Sequence, residues 1–243
     1  MSTGIKRTLQ VFDGIKQGTP EWFAARCGLV TASVVGQLIT TKTMKPAIND
    51  TSRGLTATLA AERITGHVEP SPTSRDMERG TMDEPFARDY YSRHHAPVTE
   101  VGFMVREFGS CKIGSCKIGY SPDGLVGDDG LVGDDGLIEI KSRAQKKHLQ
   151  TIIDGEVPAE NMAQLQCGLL VSGRDWIDYV SFCSGMPLWT KRVYPNQTWF
   201  DAILAAVEVF EFNAVNMIAR YYDLTKHAPP TEYIDHFPDM EIY

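Results

Sequence analysis

The sequence predicts an α/β domain in which helices flank a central sheet. Apolar residues at helical spacing come first, short β-type runs separated by glycine and Asp-Gly turns follow over residues 97–141, and helical spacing returns after residue 144. The chain has 243 residues, and its 42% hydrophobic and 23% charged residues are ordinary for a globular protein. We therefore expect a single domain over residues 1–224, followed by a loosely packed tail over 225–243.

Local signals place the individual elements. Thr19, Pro20 and Glu21 supply a helix N-cap, a first-turn proline and a first-turn acid, which predicts a helix to about Cys27. A second helix is expected to begin at Thr31-Ala32-Ser33. Further helices are expected over 52–65, 75–94, 144–153, 158–171 and 196–221, and strands over 98–105, 118–120, 137–140, 176–183 and 188–193.

Composition limits the class of protein. A net charge of -7 argues against nucleic-acid binding over the whole surface, because such binding relies on Lys and Arg that neutralise phosphates, but it permits a local basic face. No apolar stretch approaches the roughly 20 residues of a membrane span, and residues 1–7 do not open a secretory signal, so we expect a cytoplasmic protein with no membrane partner. Five cysteines without a CxxC pair favour small buried thiols in a reducing compartment.

Two exact tandem repeats interrupt the strand region. The sequence SCKIG occurs twice in succession from Ser110, and LVGDDG occurs twice from Leu125. Because side chains alternate along a strand, five extra residues reverse its two faces, so the first repeat must bulge or loop out. The second repeat can lengthen a turn, and its aspartates are not counted as metal ligands: Asp128, Asp129, Asp134 and Asp135.

The strongest chemical signal is Ser121-Pro122-Asp123-Gly124 followed by Glu139-Ile140-Lys141, which fits the pattern PD-(x)n-ExK. Strand alternation places Glu139 and Lys141 on one face, and an adjoining strand can bring Asp123 beside them. Carboxylate oxygens suit Mg²⁺, with Mn²⁺ able to substitute, and the lysine can orient an attacking water for phosphodiester hydrolysis. A surface ion pair near a turn produces the same letters, so the pattern alone leaves that alternative open.

From Gln17 to about Val171 the sequence resembles the lambda exonuclease family, also called the YqaJ-type viral recombinase nucleases, in four motifs that occur in the family's order. The first motif runs from Trp22 through Arg26 to Thr31-Ala32-Ser33. The resemblance implies that Arg26 and Ser33 hold the 5′ phosphate of a DNA end, and Thr31 adds a further hydroxyl donor. The alternative is an arginine in a surface ion pair beside an ordinary helix cap.

The remaining three motifs supply the implied catalytic and metal-binding residues. Glu84 ends Arg79-Gly80-Thr81-Met82-Asp83-Glu84 and inherits a metal-ligand role, although most helical glutamates are simply exposed. The interval from Asp123 to Glu139 is longer than the family's by about one copy of LVGDDG. In Asn161-Met162-Ala163-Gln164-Leu165-Gln166, Gln164 is expected near the nucleophilic water or scissile phosphate, with a packing role as the alternative and Gln166 the weaker candidate.

A basic cluster lies between the third and fourth motifs, over residues 141–148. Its position just beyond the implied metal site suits contacts with the DNA backbone. A solvated helix start is the alternative, since lysine-rich faces are common on soluble helices. The candidate DNA-contacting residues here are Arg143, Lys146 and Lys147.

The resemblance implies a restriction-endonuclease-like core, in which the central sheet is mixed and partly antiparallel. It also implies an ATP-independent, Mg²⁺-dependent 5′-to-3′ exonuclease on double-stranded DNA ends. It also implies a ring-shaped homotrimer that encloses DNA, and a single-strand annealing protein that takes up the remaining 3′ strand. The implied catalytic set is Glu84, Asp123, Glu139, Lys141 and Gln164, and the implied metal ligands are Glu84, Asp123 and Glu139.

Three alternatives remain at this stage. An endonuclease or a nuclease of other polarity shares the PD-(x)n-ExK core. An iron–sulfur nuclease requires clustered cysteine ligands, which the spacing of the five cysteines does not offer. A non-catalytic protein that binds DNA ends is the third, and the joint presence of the catalytic residue types disfavours it.

Overall fold

The structure, a computed structural model, describes residues 8–69, 74–111, 114–127 and 135–234. The helices are α1 Pro20–Arg26, α2 Asp50–Thr65, α3 Arg75–His94, α4 Gln145–Asp154, α5 Ala159–Ser172 and α6 Gln197–Thr225. The strands are β1 Thr8–Phe12, β2 Val30–Thr31, β3 Ile39–Thr40, β4 Lys45–Pro46, β5 Val98–Thr99, β6 Phe103–Cys111, β7 Gly114–Tyr120, β8 Gly124–Val126, β9 Gly136–Ser142, β10 Trp176–Phe182 and β11 Trp189–Val193.

Two larger sheets carry the domain where the sequence predicted one. The first has the strand order β1-β6-β7-β2 and the second the order β11-β10-β9-β8-β5. Both are mixed, since β2 runs parallel to β7 and β9 parallel to β10, while the other pairs are antiparallel. The expected mixed architecture with flanking helices is therefore confirmed, but its strands are divided between two sheets. The chain passes from the first sheet to the second at residues 121–123.

Strand β9 is buried on both faces, as is usual for a strand with a parallel neighbour. Leu137 belongs to the main core, which also contains residues of α5 and α6. Ile138 and Ile140 belong to a second core, where Tyr91 of α3 packs. Because side chains alternate, Glu139 shares the face of Leu137, so β9 carries a buried acid between α3 and α5.

Most expected elements are confirmed within two or three residues. The strand expected over 98–105 is instead divided between β5 and β6, which lie in different sheets, and the helix expected at Thr31-Ala32-Ser33 is wrong. Val30 and Thr31 instead form β2 against β7, and a 3-10 turn over Val35–Leu38 follows. The β-branched pair favours a strand, and its ladder partners supply the hydrogen bonds that a helix start lacks. Strand β1 was not predicted at all.

The tandem repeats are only partly covered by the described residues. The pairing of β6 with β7 shifts register between Phe108 and Cys111, which confirms the bulge expected from the first repeat. Most of the second repeat, residues 128–134, lies outside the described residues, including three of its four aspartates. Its last aspartate, Asp135, is exposed.

Helix α6 is long and apolar enough to cross a membrane by length and composition alone, a feature the sequence reading missed. Its inner face, with Ile203, Val207 and Phe210, packs into the main core. A core helix of a soluble protein passes the same test, so this is weak evidence for a membrane span. The absence of a membrane partner stays a prediction.

The cysteines do not share one environment. Cys167 and Cys183 are buried free thiols, and Cys27 is a half-buried one. Cys116 is disulfide-bonded, so the expectation of thiols throughout is wrong there. Burial raises the pKa of Cys167, in line with an unreactive thiol.

The expected tail begins close to where α6 ends, at Thr225. Residues 226–234 contain no helix or strand. Tyr233 nevertheless approaches the main body, with its hydroxyl 2.9 Å from Nε2 of His67.

A polar clamp joins α2 and α6 to the turn after α1. Gly28, at φ +68°, donates its N–H to Glu62 over 2.7 Å and accepts from Nε of Arg63 over 2.8 Å. The guanidinium of Arg63 also binds Glu211 of α6 through two hydrogen bonds of 2.6 and 2.7 Å. Two neighbouring side chains of α2 therefore hold both backbone groups of one glycine.

Replacing Arg63 by Met should destabilise the protein by about 3 kcal/mol, because the substitution leaves Glu211 as a largely buried carboxylate without its partner. Urea unfolding of the two proteins measures the difference in free energy of unfolding. In Arg63→Met/Glu211→Leu both charges are gone, so most of the loss should be recovered. A double variant as unstable as the single one would contradict this account.

Candidate active site

Glu139 is the buried centre of the site. Its side chain on β9 is 2% exposed, and three groups from different elements donate to its carboxylate. Nζ of Lys141 and Nε2 of Gln164 lie 2.7 and 2.5 Å from Oε1, and the hydroxyl of Tyr120 lies 3.3 Å from Oε2. Strand alternation thus places the lysine beside the glutamate as predicted, and α5 brings Gln164 to the same oxygen.

Asp123 lies in the crossing between the two sheets and is tied directly to β9. Its Oδ2 accepts a hydrogen bond of 2.6 Å from the backbone N–H of Ile140, next in sequence to Glu139. Burial raises the pKa of Asp123 well above its usual value, and repulsion by Glu139 and Glu84 adds to this effect. The site therefore concentrates more negative charge than its own cations neutralise.

Glu84 reaches the same site from α3. It forms an ion pair with Arg88, one helical turn later, and its side chain is 25% exposed. Burial raises the pKa of Glu84; Arg88 lowers it, and repulsion by Glu139 raises it further. The structure therefore brings together all five residues of the predicted catalytic set, which are Glu84, Asp123, Glu139, Lys141 and Gln164.

The lysine is charged in this setting. Burial alone lowers the pKa of Lys141, but the carboxylates of Glu139 and Asp123 outweigh it, and the pKa is raised above its usual value. A protonated Nζ donates hydrogen bonds and stabilises negative charge.

The donor set suits a hard divalent cation. Over the described ranges, no three His, Cys, Asp or Glu side chains form a ready-made metal-binding group. Mg²⁺, however, uses one or two carboxylates and completes its shell with water and phosphate oxygens. A cation would also relieve the repulsion that raises the pKa of Asp123 and Glu84. Carboxylate chemistry and excess negative charge therefore both fit Mg²⁺.

The predicted phosphate-binding residues meet at the end of α1. Nη2 of Arg26 lies 3.4 Å from both Oγ1 of Thr31 and Oγ of Ser33, and these two hydroxyls are 3.0 Å apart. The guanidinium stacks on the ring of Trp22, 3.9 Å from its centroid. Burial lowers the pKa of Arg26 to about 10, against an opposing effect of Glu62. The hydroxyls reach the arginine from a strand and turn, not from a helix start.

This second cluster is connected to the carboxylates. Nε1 of Trp22 donates to Oγ of Ser121 over 2.9 Å, and Ser121 is two residues before Asp123. The ring that supports Arg26 therefore also contacts the segment that crosses between the sheets. The two parts of the site share one structural support.

The predicted basic cluster divides into separate groups. Nη2 of Arg143 turns inward to Asn161 and Tyr179, over 2.7 and 3.1 Å. Lys146 lines a cavity of about 580 Å³ with Arg79 and Arg143, beyond the carboxyl ends of β9 and β10. Lys147 points elsewhere and pairs with Glu160 of α5 over 2.7 Å.

Sequence reasoning missed two residues that contact the site, and its weaker glutamine candidate lies away from the carboxylates. Tyr120 and Arg88 were not singled out, and only the four-residue spacing of Arg88 from Glu84 offered a signal. Gln166 is buried away from the carboxylates, where its amide bonds Tyr194 and Asn196.

Replacing Asp123 by Asn should stabilise the metal-free protein at neutral and alkaline pH. In the unfolded chain the pKa of this carboxyl is near 3.9, and in the folded protein it is well above that value. The free energy of unfolding of the wild type therefore falls as the pH rises from the unfolded-state pKa to the folded-state pKa. The variant avoids this loss and keeps an oxygen to accept from Ile140. Each gain of about 1 kcal/mol raises the unfolding midpoint by roughly 2–4 °C, which thermal unfolding in EDTA from acid to alkaline pH detects.

Asp201→Asn provides the matched control, since this carboxylate is exposed on α6. It should give no gain that grows with pH. An Asp123→Asn protein that is no more stable than the wild type at alkaline pH would show that the carboxylates do not strain the fold.

Comparison with known proteins places this site in a family. Residues 21–175 match the model of the YqaJ-like viral recombinase domain. An alkaline exonuclease from Laribacter hongkongensis is 32% identical, with a TM-score of 0.71 over 87% of this chain and 100% of that one, and its complex with dAMP gives the same values. A phage-related exonuclease from Haemophilus somnus 129PT, at 13% identity and a TM-score of 0.56 over 79% and 96% of the two chains, shares the fold.

No curated protein sequence matches the chain significantly. The structural likeness confirms the restriction-endonuclease-like fold, and the family match supports a nuclease. The extent of these matches settles the family: the chain belongs to the YqaJ-like viral recombinase domain family.

Proposed function

We propose that the protein is a Mg²⁺-dependent, ATP-independent exonuclease that degrades the 5′-ended strand of double-stranded DNA. The observation that carries the proposal is the convergence of Asp123, Glu139 and Lys141 with Gln164 at a site that also receives Glu84. This donor set suits phosphodiester hydrolysis. The dAMP bound by the Laribacter relative is a deoxynucleoside monophosphate, the class of product that an exonuclease releases.

In the proposed mechanism, Asp123 and Glu139 would hold a divalent cation, with Glu84 as a third ligand. When bound, such a cation would supply an acidified water molecule and neutralise charge on the phosphate. Lys141 is protonated beside Glu139, so it orients the attacking water as a donor and stabilises the negative charge of the transition state. Gln164 donates to Oε1 of Glu139, and its amide oxygen can orient the same water.

We propose that Arg26, Thr31 and Ser33 bind the terminal 5′ phosphate. A guanidinium offers paired donors to phosphate oxygens, and two hydroxyls lie within 3.4 Å of it. Its lowered pKa reflects a buried cation, which a dianionic phosphate would stabilise. The link through Trp22 and Ser121 gives this cluster a defined position relative to Asp123, and that relation favours 5′-to-3′ polarity.

The path of the DNA backbone is proposed to follow the cavity lined by Arg79, Arg143 and Lys146. Phosphate contacts of this kind hold DNA in register without reading its sequence. Lys147 is the weakest of the predicted contacts because Glu160 already pairs with it. The chain as a whole carries a net charge of -7, but the basic residues of this cavity provide a local surface that can bind DNA phosphates.

The assembly and partners remain proposals of the same kind. We propose a homotrimeric ring around DNA, a single-strand annealing protein that takes up the 3′ strand, and a cytoplasmic location. The second half of α6 exposes apolar side chains, including Phe212, Val215 and Leu224. Contact with another copy of the chain would cover them.

Digestion of linear and closed circular duplex tests the proposed reaction. With Mg²⁺ and no ATP, the wild type should remove only the 5′-ended strand of linear DNA. Glu139→Gln should slow this by roughly 1000-fold or more, because it removes a negative ligand and with it several kcal/mol of transition-state stabilisation. Glu69→Gln, at an exposed position, is the control. Nicking of circles would instead indicate an endonuclease, and absence of cleavage a DNA-end-binding protein.

Replacing Arg26 by Lys tests the proposed 5′-phosphate site. The charge is kept but the paired donors are lost, so the preference for 5′-phosphorylated over 5′-hydroxyl ends should fall roughly tenfold, as expected for losing one charge-assisted hydrogen bond. Initial rates on the two substrates measure this ratio. Arg53→Lys on the exposed face of α2 should leave the ratio at its wild-type value. An unchanged ratio in Arg26→Lys would rule out the proposed phosphate site.

A further inference from the structure

Arg88 contacts both sides of the carboxylate site. Its side chain on α3 is only 14% exposed. One Nη nitrogen pairs with the carboxylate of Glu84, Nε donates to the backbone carbonyl of Asp123 over 2.8 Å, and the other Nη nitrogen lies 2.9 Å from Oε1 of Glu100. One planar cation therefore joins a glutamate on a helix to the backbone of the aspartate between the sheets.

The geometry of these contacts requires a guanidinium. Its donors point in fixed directions, so holding Glu84 at one edge and the Asp123 carbonyl at another fixes the distance between their two chain segments. A lysine ammonium is a single point and cannot span both acceptors in the same way. Glu100 is 75% exposed, so that pair contributes little beyond balancing charge.

We propose that Arg88 is a positioning residue for the divalent-cation site, one that holds Glu84 and the Asp123 segment at the separation that cation binding needs. The inference rests on the proposed function, since it presupposes that these carboxylates bind a cation. Residues that orient metal ligands by hydrogen bonds typically change metal affinity by roughly 10–100-fold when they are replaced. Arg88 acts through Glu84 and Asp123 and needs no contact with the cation or DNA.

Charge alone predicts the opposite effect. A cation beside the site repels a divalent metal ion, so its removal would strengthen metal binding if Arg88 were only a counter-ion for Glu84. If Arg88 positions the ligands, its loss weakens metal binding even though repulsion also disappears. The sign of the change in affinity therefore distinguishes the two roles.

The experiment measures Mn²⁺ binding to the full chain in the absence of DNA. Electron paramagnetic resonance detects the free ion, so loss of its signal reports binding. Arg88→Lys keeps the charge and loses the planar donors, and Arg88→Met loses both. Both variants should bind Mn²⁺ more weakly than the wild type, by roughly 10–100-fold. Arg93→Lys is the matched control, because Arg93 is an exposed arginine on the same helix, also placed four residues after an acidic partner, Asp89. It should bind like the wild type.

Two further measurements separate positioning from loss of fold. Thermal unfolding should show that each variant is folded at the temperature of the binding experiment. In cleavage assays, the half-saturating Mg²⁺ concentration of Arg88→Lys should rise roughly tenfold or more, with much of the rate recovered at saturating Mg²⁺. A purely structural role would lower the rate without shifting the Mg²⁺ dependence.

Wild-type affinity in Arg88→Lys, or tighter binding in Arg88→Met, would overturn the inference while leaving the proposed nuclease intact. Failure of the proposed function gives a different result. If the wild type bound no Mn²⁺, or if Asp123→Asn bound Mn²⁺ as tightly as the wild type, the proposed cation site would be wrong. The proposed role of Arg88 would then be wrong as well.

Discussion

The hydrogen bond from the backbone of Ile140 to the carboxylate of Asp123 is the constraint on which the rest of the site depends. It joins the segment between the two sheets to the strand that carries Glu139 and Lys141. Other contacts converge on the same segment: Trp22 holds it through Ser121, and Arg88 through the Asp123 carbonyl. A short stretch of irregular backbone is thereby tied to β9, α1 and α3, and these contacts position the Asp123 carboxylate.

The same site is a source of instability that the surrounding fold offsets. Three acids face one another at limited exposure, and burial, with repulsion between the acids adding to it, raises the pKa of Asp123 and of Glu84. Two cations, Lys141 and Arg88, relieve part of the repulsion, one from the strand and one from α3. Burial of β9 between two apolar cores holds the acids in place despite their mutual repulsion.

The sequence predicted those parts of the site that follow from local regularity. Alternation along β9 sufficed to place Glu139 beside Lys141, and family resemblance brought in Gln164 and Glu84 from distant helices. The helix expected at Thr31 was wrong because its hydroxyl residues were read as a cap, whereas the fold directs them to Arg26. The sequence could not identify Arg88 as a residue of the site, because an arginine one turn after a glutamate is common on any exposed helix. Its second acceptor, the Asp123 carbonyl, belongs to another part of the chain, which only the tertiary structure reveals.

The hairpin of β8 and β9 explains how the core tolerates an unusual interval between its two acids. Gly124 pairs with Ile138 and Val126 with Gly136, so continuing this register by one residue sets Asp123 opposite Glu139. Their separation is thus set across the ladder and does not depend on how many residues join the two strands. A family member whose connection differed in length but kept this register would therefore hold the two acids in the same place. A pattern search that demands a fixed number of residues between the acids would overlook such members of the family.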